Sequence, residues 1–330
     1  MVKFVTFGET MAQYNASFLG PFDEGGEYVL DCAGAESNVA VDLLKLGLPG
    51  IEAVWISRLG DDEAGNFILN ELSGRVQVAA SRHIGQRTGV SYLNHLADGQ
   101  HVKTYRRQGS AASLLTFDDI APHLNGADVL HVTGITPALG DEARAAIFQS
   151  LQYAKDNNIP VSFDLNYREQ LWTPSQAQAV VNEMIPFASL FKLGHDEAES
   201  IWRSGWTAER YASHFQGING GVVVVTRGMD GALAFDGHSL VEQPGYAVEV
   251  LDPVGAGDAF VAGFLGSVFE SHTLRGLLDL EPSERQVRIE NALEVGNVCG
   301  ALTCTRQGDT AAMPTINEVR DFLASRRLLP

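Results

Sequence analysis

The stretch Leu251-Asp252-Pro253-Val254-Gly255-Ala256-Gly257-Asp258-Ala259-Phe260 follows an apolar run, Tyr246 to Leu251, of strand character. It leads into Val261-Ala262-Gly263-Phe264-Leu265, whose apolar residues and small spacers predict a buried helix. The stretch therefore reads as a strand-to-helix turn. Glycines at 255 and 257, separated by a single methyl-bearing residue, admit backbone conformations closed to larger residues and leave their N–H groups uncovered. At the positive end of a helix such groups can hold an oxyanion or a phosphate. Asp258 adds a carboxylate to the same first turn. Two roles fit it: a helix-capping residue, or a base that takes a proton from a hydroxyl attacking the bound anion.

Two common phosphate-binding patterns are absent. A P-loop needs Gly-x-x-x-x-Gly-Lys followed by Ser or Thr, and no such run occurs; a dinucleotide fingerprint needs a small residue three positions after Gly257, where Phe260 stands. The run from Asp252 to Phe260 instead resembles the signature of the ribokinase-like (PfkB-type) carbohydrate kinases. The resemblance implies an α/β fold: a Rossmann-type, largely parallel central sheet flanked by helices, with a small β-sheet lid, in one kinase domain over residues 1–330. It also implies an anion hole made by Gly255, Ala256 and Gly257, Asp258 as base, and ATP with Mg²⁺ as phosphoryl donor.

The bulk properties agree with a large α/β protein. A chain of 330 residues with 45% hydrophobic residues has ample material for a core. No apolar run approaches twenty residues, and Met1 to Glu9 reads as a strand entering a turn, so a cytoplasmic protein is expected. Three cysteines without a Cys-x-x-Cys pair favour neither a disulfide framework nor a zinc site. A formal net charge of −18 argues against nucleic acid or an anionic membrane as partner. Any cations gathered at one place then carry weight.

Reading from the N-terminus, Lys3 to Thr6 predicts a strand ending at Gly8-Glu9, at the carboxyl edge where α/β sheets bind ligands. Gly34 to Gly47 gives a glycine turn, an amphipathic helix and a glycine stop. It resembles the family's Gly-Gly-x-x-x-Asn motif, with Ala33 at the first glycine, and implies sugar contacts from Gly34 and Asn38. The lid strands fall at about 10–33 and 86–110, where Thr88 to Leu96 and His101 to Arg107 alternate like a strand pair around an Asp98-Gly99 hairpin turn.

The last of these strands holds Lys103, Arg106 and Arg107, a concentration of cations in an acidic chain. Alternation puts Tyr105 and Arg107 on one face and Arg106 on the other; Lys103 and Arg106 read as solvated, charge-balancing residues. The segment Tyr105 to Ala111, together with His131 to Leu139 and Asp164 to Trp172, resembles the 2-keto-3-deoxygluconate kinases, which implies substrate contacts from Tyr92, Tyr105 and Arg107. Arg168 is a second cation facing the pocket. A guanidinium can bind the carboxylate of an acid sugar through a two-donor fork, which a neutral ketose cannot exploit.

Helices at about 141–157 and 175–187 alternate with strands at about 160–164 and 189–193, the rhythm of a parallel sheet. Where the family has Asn-x-x-Glu acting on magnesium through water, this chain has Gly194 and Glu197; a solvated acidic helix start is the other reading of Glu197. The β-branched run Gly221 to Thr226 and its glycine turn resemble the nucleotide side of the family, implying contacts from Thr226, Gly228 and Gly231. Glu284 to Thr305 predicts a long helix whose Asn297 lies against the adenine by the same resemblance, and Asp252 is a candidate for a monovalent cation such as K⁺.

The expected reaction is transfer of the γ-phosphate of ATP to the primary hydroxyl of 2-keto-3-deoxygluconate. A fructokinase, a 2-keto-3-deoxygalactonate kinase and a catalytically silent sugar or nucleotide sensor are the alternatives; a nicotinamide oxidoreductase lacks its glycine spacing. The resemblance further implies a homodimer formed through the lid, since an uncovered sheet edge invites a partner strand.

Overall fold

The computed structural model describes residues 1–23, 25–97 and 101–327. Runs such as Val222-Val-Val-Val-Thr226 are too short and too β-branched for helices, and in the interior of a parallel sheet they are covered on both faces. The strands are β1 (Val2–Phe7), β2 (Met11–Leu19), β3 (Tyr28–Ala33), β4 (Ile51–Gly60), β5 (Gln77–His83), β6 (Val90–His95), β7 (His101–Arg106), β8 (Val129–Thr133), β9 (Val161–Asp164), β10 (Leu190–Gly194), β11 (Val222–Thr226), β12 (Ala232–Phe235) and β13 (Leu240–Gln243). The large sheet has the order β13-β12-β11-β10-β9-β8-β1-β4-β5. Pairings from β5 to β11 are parallel, and the β11-β12-β13 edge is antiparallel.

The chain leaves β1 toward β4 and β5 on one side and later fills β8 to β11 on the other. Strand order reverses at β1, and such a reversal opens a crevice at the carboxyl ends of the strands. Alternate residues feed two cores. Trp55, Val222 and Val224 pack with Val39, Phe264 and Leu293 of helices Ala35–Lys45, Ala256–Phe269 and Pro282–Cys304. Ile56, Val223 and Val225 pack with Ile147, Val181 and Phe215 of helices Asp141–Asp156, Pro174–Met184 and Ala208–Asn219. Among the described residues no helix is long and apolar enough to cross a membrane.

The second sheet, β3-β2-β6-β7, occupies the spans expected for the lid. Its β2–β6 pair is parallel, and the pairs at its two edges are antiparallel. The expected Asp98-Gly99 turn lies outside the described residues. One expectation fails: Tyr246 to Leu251 is not a strand. Pro244 and Gly245 end β13, the run that follows is half-buried or exposed, and among the described residues it joins neither sheet. The chain is instead anchored by the N–H groups of Leu251 and Asp252, which donate to the Cys304 carbonyl at 2.8 and 3.1 Å.

Helix Ala35–Lys45 packs on helix Ala256–Phe269, and Asp42 is buried between them. Neither of its carboxyl oxygens finds a hydrogen-bond partner among the described residues. Burial pushes its pKa well above the carboxylate range, the charges of Asp258 and Asp309 push the same way, and Lys45 opposes them. The folded state therefore holds this proton more tightly than the unfolded chain, so the stability it lends at low pH is lost as pH rises through the raised pKa. Asp42→Ala, which removes an unsatisfied buried group worth about 1–3 kcal/mol, is expected to raise the unfolding midpoint, and more so at pH 8 than at pH 5. Asp42→Asn should flatten the pH dependence. Urea unfolding across that range checks both, and an alanine variant less stable at every pH would contradict the assignment.

Candidate active site

A cavity of about 430 Å³ opens at the strand reversal. Its floor comes from the carboxyl ends of parallel strands: Glu9 after β1, Ile135 after β8, Asn166 and Arg168 after β9, and Glu197 after β10. Lys103 and Tyr105 of β7, with Arg107 just beyond it, line the lid side. Gly34 and Asn38 enter from the start of helix Ala35–Lys45, and Pro253, Val254, Gly255, Gly257 and Asp258 close the far end.

Gly255 caps helix Ala256–Phe269 with φ +80°, and a Cβ there would stand 2.7 Å from the Asp309 carbonyl oxygen. Only glycine serves. Gly257 is different: a Cβ there would meet nothing nearer than the Lys192 Nζ at 3.6 Å, so the protein tolerates a side chain but the cavity would lose that space. The N–H groups of Gly257 and Asp258 make no backbone hydrogen bond among the described residues. Bare first-turn donors beside an ammonium form a cradle for an anion.

Asp258 does not cap its own helix. Its carboxylate accepts from Asn38 Nδ2 at 2.8 Å and from Asn166 Nδ2 at 3.4 Å, and it borders the cavity while only 7% exposed. Burial raises its pKa; the Asn38 bond and the charges of Arg168 and Lys192 pull it back without cancelling the rise. Asn38 also lies 3.4 Å from Asp309 Oδ2. Asp309, which sequence reading missed, is buried at the same cavity, and its carboxyl is pushed up to about 6 by burial.

The cations fall into two groups. Arg107 is already engaged: Nε and one Nη donate to Glu9 at 2.6 and 2.5 Å, and Ser110 donates to the other Glu9 oxygen. Lys192, also missed by sequence reading, contacts both oxygens of Asp164 at 3.0 and 3.1 Å. Burial pushes the Asp164 carboxyl up to about 7 against the pull of Lys192, and it works against the Lys192 charge too, yet Asp164 and Glu197 hold that ammonium above its usual value. Arg168 and Lys103, by contrast, make no side-chain hydrogen bond or ion pair among the described residues. The expectation that Lys103 is a solvated lid residue is corrected: it shares the inward face with Tyr105, two positions away on the strand.

Tyr92 is corrected in the opposite sense. Register places Tyr92 opposite Thr104 and Ser91 opposite Tyr105, so Tyr92 faces away from the cavity. It joins Tyr14, Phe22 and Tyr28, with the Arg106 guanidinium 5.3 Å from its ring centre. Glu197 uses its two oxygens to accept the N–H groups of Tyr167 and Gly194 at 2.8 and 2.7 Å, fixing the start of helix His195–Trp202 at the cavity edge. Of the residues expected to bind the nucleotide, Gly255 and Gly257 line this cavity, while Thr226, Gly228, Gly231 and Asn297 lie outside it. Thr226 ends β11, Gly228 (φ +56°) and Gly231 (φ +90°) shape the turn after it, and Asn297 spends both its donors on the carbonyls of Gln243 and Pro244 at 3.1 Å each. Ala256 borders it without lining it, and the Asp252 carboxylate accepts the Val254 N–H at 3.0 Å, facing a neighbouring cavity.

The model of the pfkB family of carbohydrate kinases matches residues 1–316. The 2-dehydro-3-deoxygluconokinase of Bacillus subtilis is 33% identical over 98% of this chain and 96% of its own length. The 2-dehydro-3-deoxygalactonokinase of Haloferax volcanii is 32% identical over 97% and 96%. A crystal structure of fructokinase from Vibrio cholerae with fructose, ADP and calcium ion superimposes with a TM-score of 0.81 at 28% identity, covering 98% of this chain and 99% of that one. Glycine turn, parallel sheet, small covering sheet and relatives agree: the chain belongs to the pfkB family of carbohydrate kinases and has the ribokinase-like fold.

Proposed function

We propose that this kinase transfers the γ-phosphoryl group of ATP to the primary hydroxyl of 2-dehydro-3-deoxygluconate, the compound also called 2-keto-3-deoxygluconate, with Asp258 as base. The observation that carries this reading is the polarity of one cavity: a buried carboxylate beside uncovered helix N–H groups at one end, and an unpaired guanidinium, Arg168, opening on the same space. As the hydroxyl oxygen forms its bond to phosphorus, its proton passes to Asp258 and the bond to the β-phosphate oxygen breaks. Asn38 aims the carboxylate, the N–H groups of Gly257 and Asp258 receive charge on the phosphoryl oxygens, and Lys192 supports that end of the site. Gly34, Tyr105, Arg107 and Asp309 would surround the sugar.

Among the described residues no group of three or more His, Cys, Asp or Glu side chains is arranged to hold a metal ion. The Glu197 carboxylate at the cavity edge fits an Mg²⁺ carried chiefly on nucleotide phosphates and water. Such an ion would screen phosphate charge when bound. The nucleotide base is assigned to the side of Thr226, Gly228, Gly231 and Asn297, a monovalent cation such as K⁺ to Asp252, and a dimer to the lid, whose β3 and β7 are sheet edges. The galactonate epimer is the second reading for the substrate, favoured by the nearly equal identity to the Haloferax relative.

A substrate panel with ATP, read by ADP release, should give higher kcat/KM for the two acid sugars than for fructose or ribose; a preference for fructose would refute the assignment. Asp258→Asn is expected to lower kcat by about 10²–10⁴-fold, the usual worth of a positioned base. The pH profile supplies a separate check. Because the Asp258 pKa is raised, the acid limb of kcat/KM should lie above the ordinary aspartate value of about 3.9. Asn38→Ala removes a donor that favours the charged form, so the limb should move to still higher pH. A limb that stayed in place would separate Asn38 from the titration of the base.

A further inference from the structure

We propose that Lys103 is the lid cation that binds the carboxylate of the acid sugar, acting with Arg168, while Arg107 chiefly ties the lid to the core. This rests on the acid-sugar kinase reading above and assigns the part of the site that recognises the acid group. Charge around the cavity is already balanced at two places. Glu9 and Arg107 neutralise one another with side chains 1% and 9% exposed, and Asp164 and Lys192 do so at 1% and 10%. Arg107 has its Nε and one Nη committed to a Glu9 oxygen, so its side-on two-donor edge is occupied by the protein's own carboxylate and its charge is already neutralised.

Lys103 is placed differently. It is half-buried, lines the same cavity as Asp258 and Arg168, and has its Nζ 5.8 Å from the ring centre of Tyr105; the Arg107 guanidinium lies 5.6 Å from that same ring. Tyr105 thus steadies both neighbouring cations of its strand face. No ion pair within 4.0 Å joins Lys103 to Asp258 or Asp309 among the described residues. Burial lowers the Lys103 pKa, Asp309 opposes that, and Arg168 and Arg107 add to it, so the ammonium sits where an entering anion relieves both desolvation and repulsion. The phosphate end, at Gly257 and Lys192, is served by other groups. A carboxylate entering between β7 and the end of β9 would meet Lys103 from the lid and Arg168 from the floor.

The test compares wild type, Lys103→Met and Lys103→Arg on 2-dehydro-3-deoxygluconate and on 3-deoxyfructose, which has a hydroxymethyl group in place of the carboxylate. Lys103→Met is expected to lower kcat/KM for the acid sugar about tenfold more than for the neutral one, as befits one charged hydrogen bond, with the difference in KM. Lys103→Arg should recover most of it, and unfolding midpoints will show whether either variant is damaged. Equal losses on both sugars, or none on the acid sugar, overturn the role of Lys103 and leave the kinase reading standing. A wild-type enzyme that prefers the neutral sugar sinks the acid-sugar reading itself, and this proposal with it, before any variant is compared.

Discussion

The close approach of Gly255 to the backbone of Asp309 governs the site. Helix Ala256–Phe269 begins where it does because the residue before it has a positive φ and no Cβ, letting its Cα lie against the Asp309 carbonyl. That contact brings three groups together: the bare N–H groups of the first turn, the Asp258 carboxylate one turn in, and the second buried carboxylate of Asp309. Asn38, reaching in from helix Ala35–Lys45, bonds Asp258 at 2.8 Å and lies 3.4 Å from Asp309. A side chain at 255 would force the turn off the 309 segment and carry Asp258 with it. Misplacement by about 1 Å can reduce a rate a hundredfold, so this one steric condition bears on chemistry as well as on folding.

Around that turn, charge is arranged against the grain of the whole molecule. A chain with formal net charge −18 sets Lys103, Arg107, Arg168 and Lys192 on one cavity against the carboxylates of Glu9, Glu197, Asp258 and Asp309. The two paired cations act as fasteners. Glu9 with Arg107 joins the end of β1 to the end of the lid strand β7, and Asp164 with Lys192 joins β9 to β10 beneath the phosphate end. Removing one partner of such a buried pair strands the other, a loss of about 3–5 kcal/mol, so both pairs fix the relative positions of the elements they join. The unpaired cations are free to respond to a ligand.

Much of this was legible in the sequence because the relevant signals are local. The β-branched runs, the helix spacing of Gly34 to Gly47 and the glycines at 255 and 257 each depend on neighbours a few residues away. What was not legible depends on distant partners. Tyr92 and Tyr105 both alternate correctly within their own strands, but which of them faces inward is fixed by the β6–β7 register, where Tyr92 meets Thr104. Tyr246 to Leu251 has the composition of a strand, but among the described residues it joins neither sheet. Asp309 and Lys192 carry no motif, and their place follows from the sheet order and from the turn at Gly255. Lys103 is the instructive case: the period of two that turned Tyr105 and Arg107 inward turns Lys103 inward as well, and only its charge made it read as solvated.

The lid's inner face also bears on how the proposed site would reject a neutral sugar. Without a sugar in the cavity, water can reach Arg168 and Lys103, and their lack of a protein partner among the described residues has little consequence. A sugar filling the cavity would displace that water. An acid sugar supplies a carboxylate to both cations as they are desolvated; a neutral ketose of the same length leaves them buried and unpaired. The discrimination then comes from a penalty on the wrong complex as much as from attraction in the right one, and unpaired buried polar groups discriminate more strongly than a missing apolar contact does. For the same reason Arg107 could not alone provide it. With Glu9 already across from it, Arg107 stays neutralised whichever sugar is enclosed, and a neutral sugar incurs no penalty there.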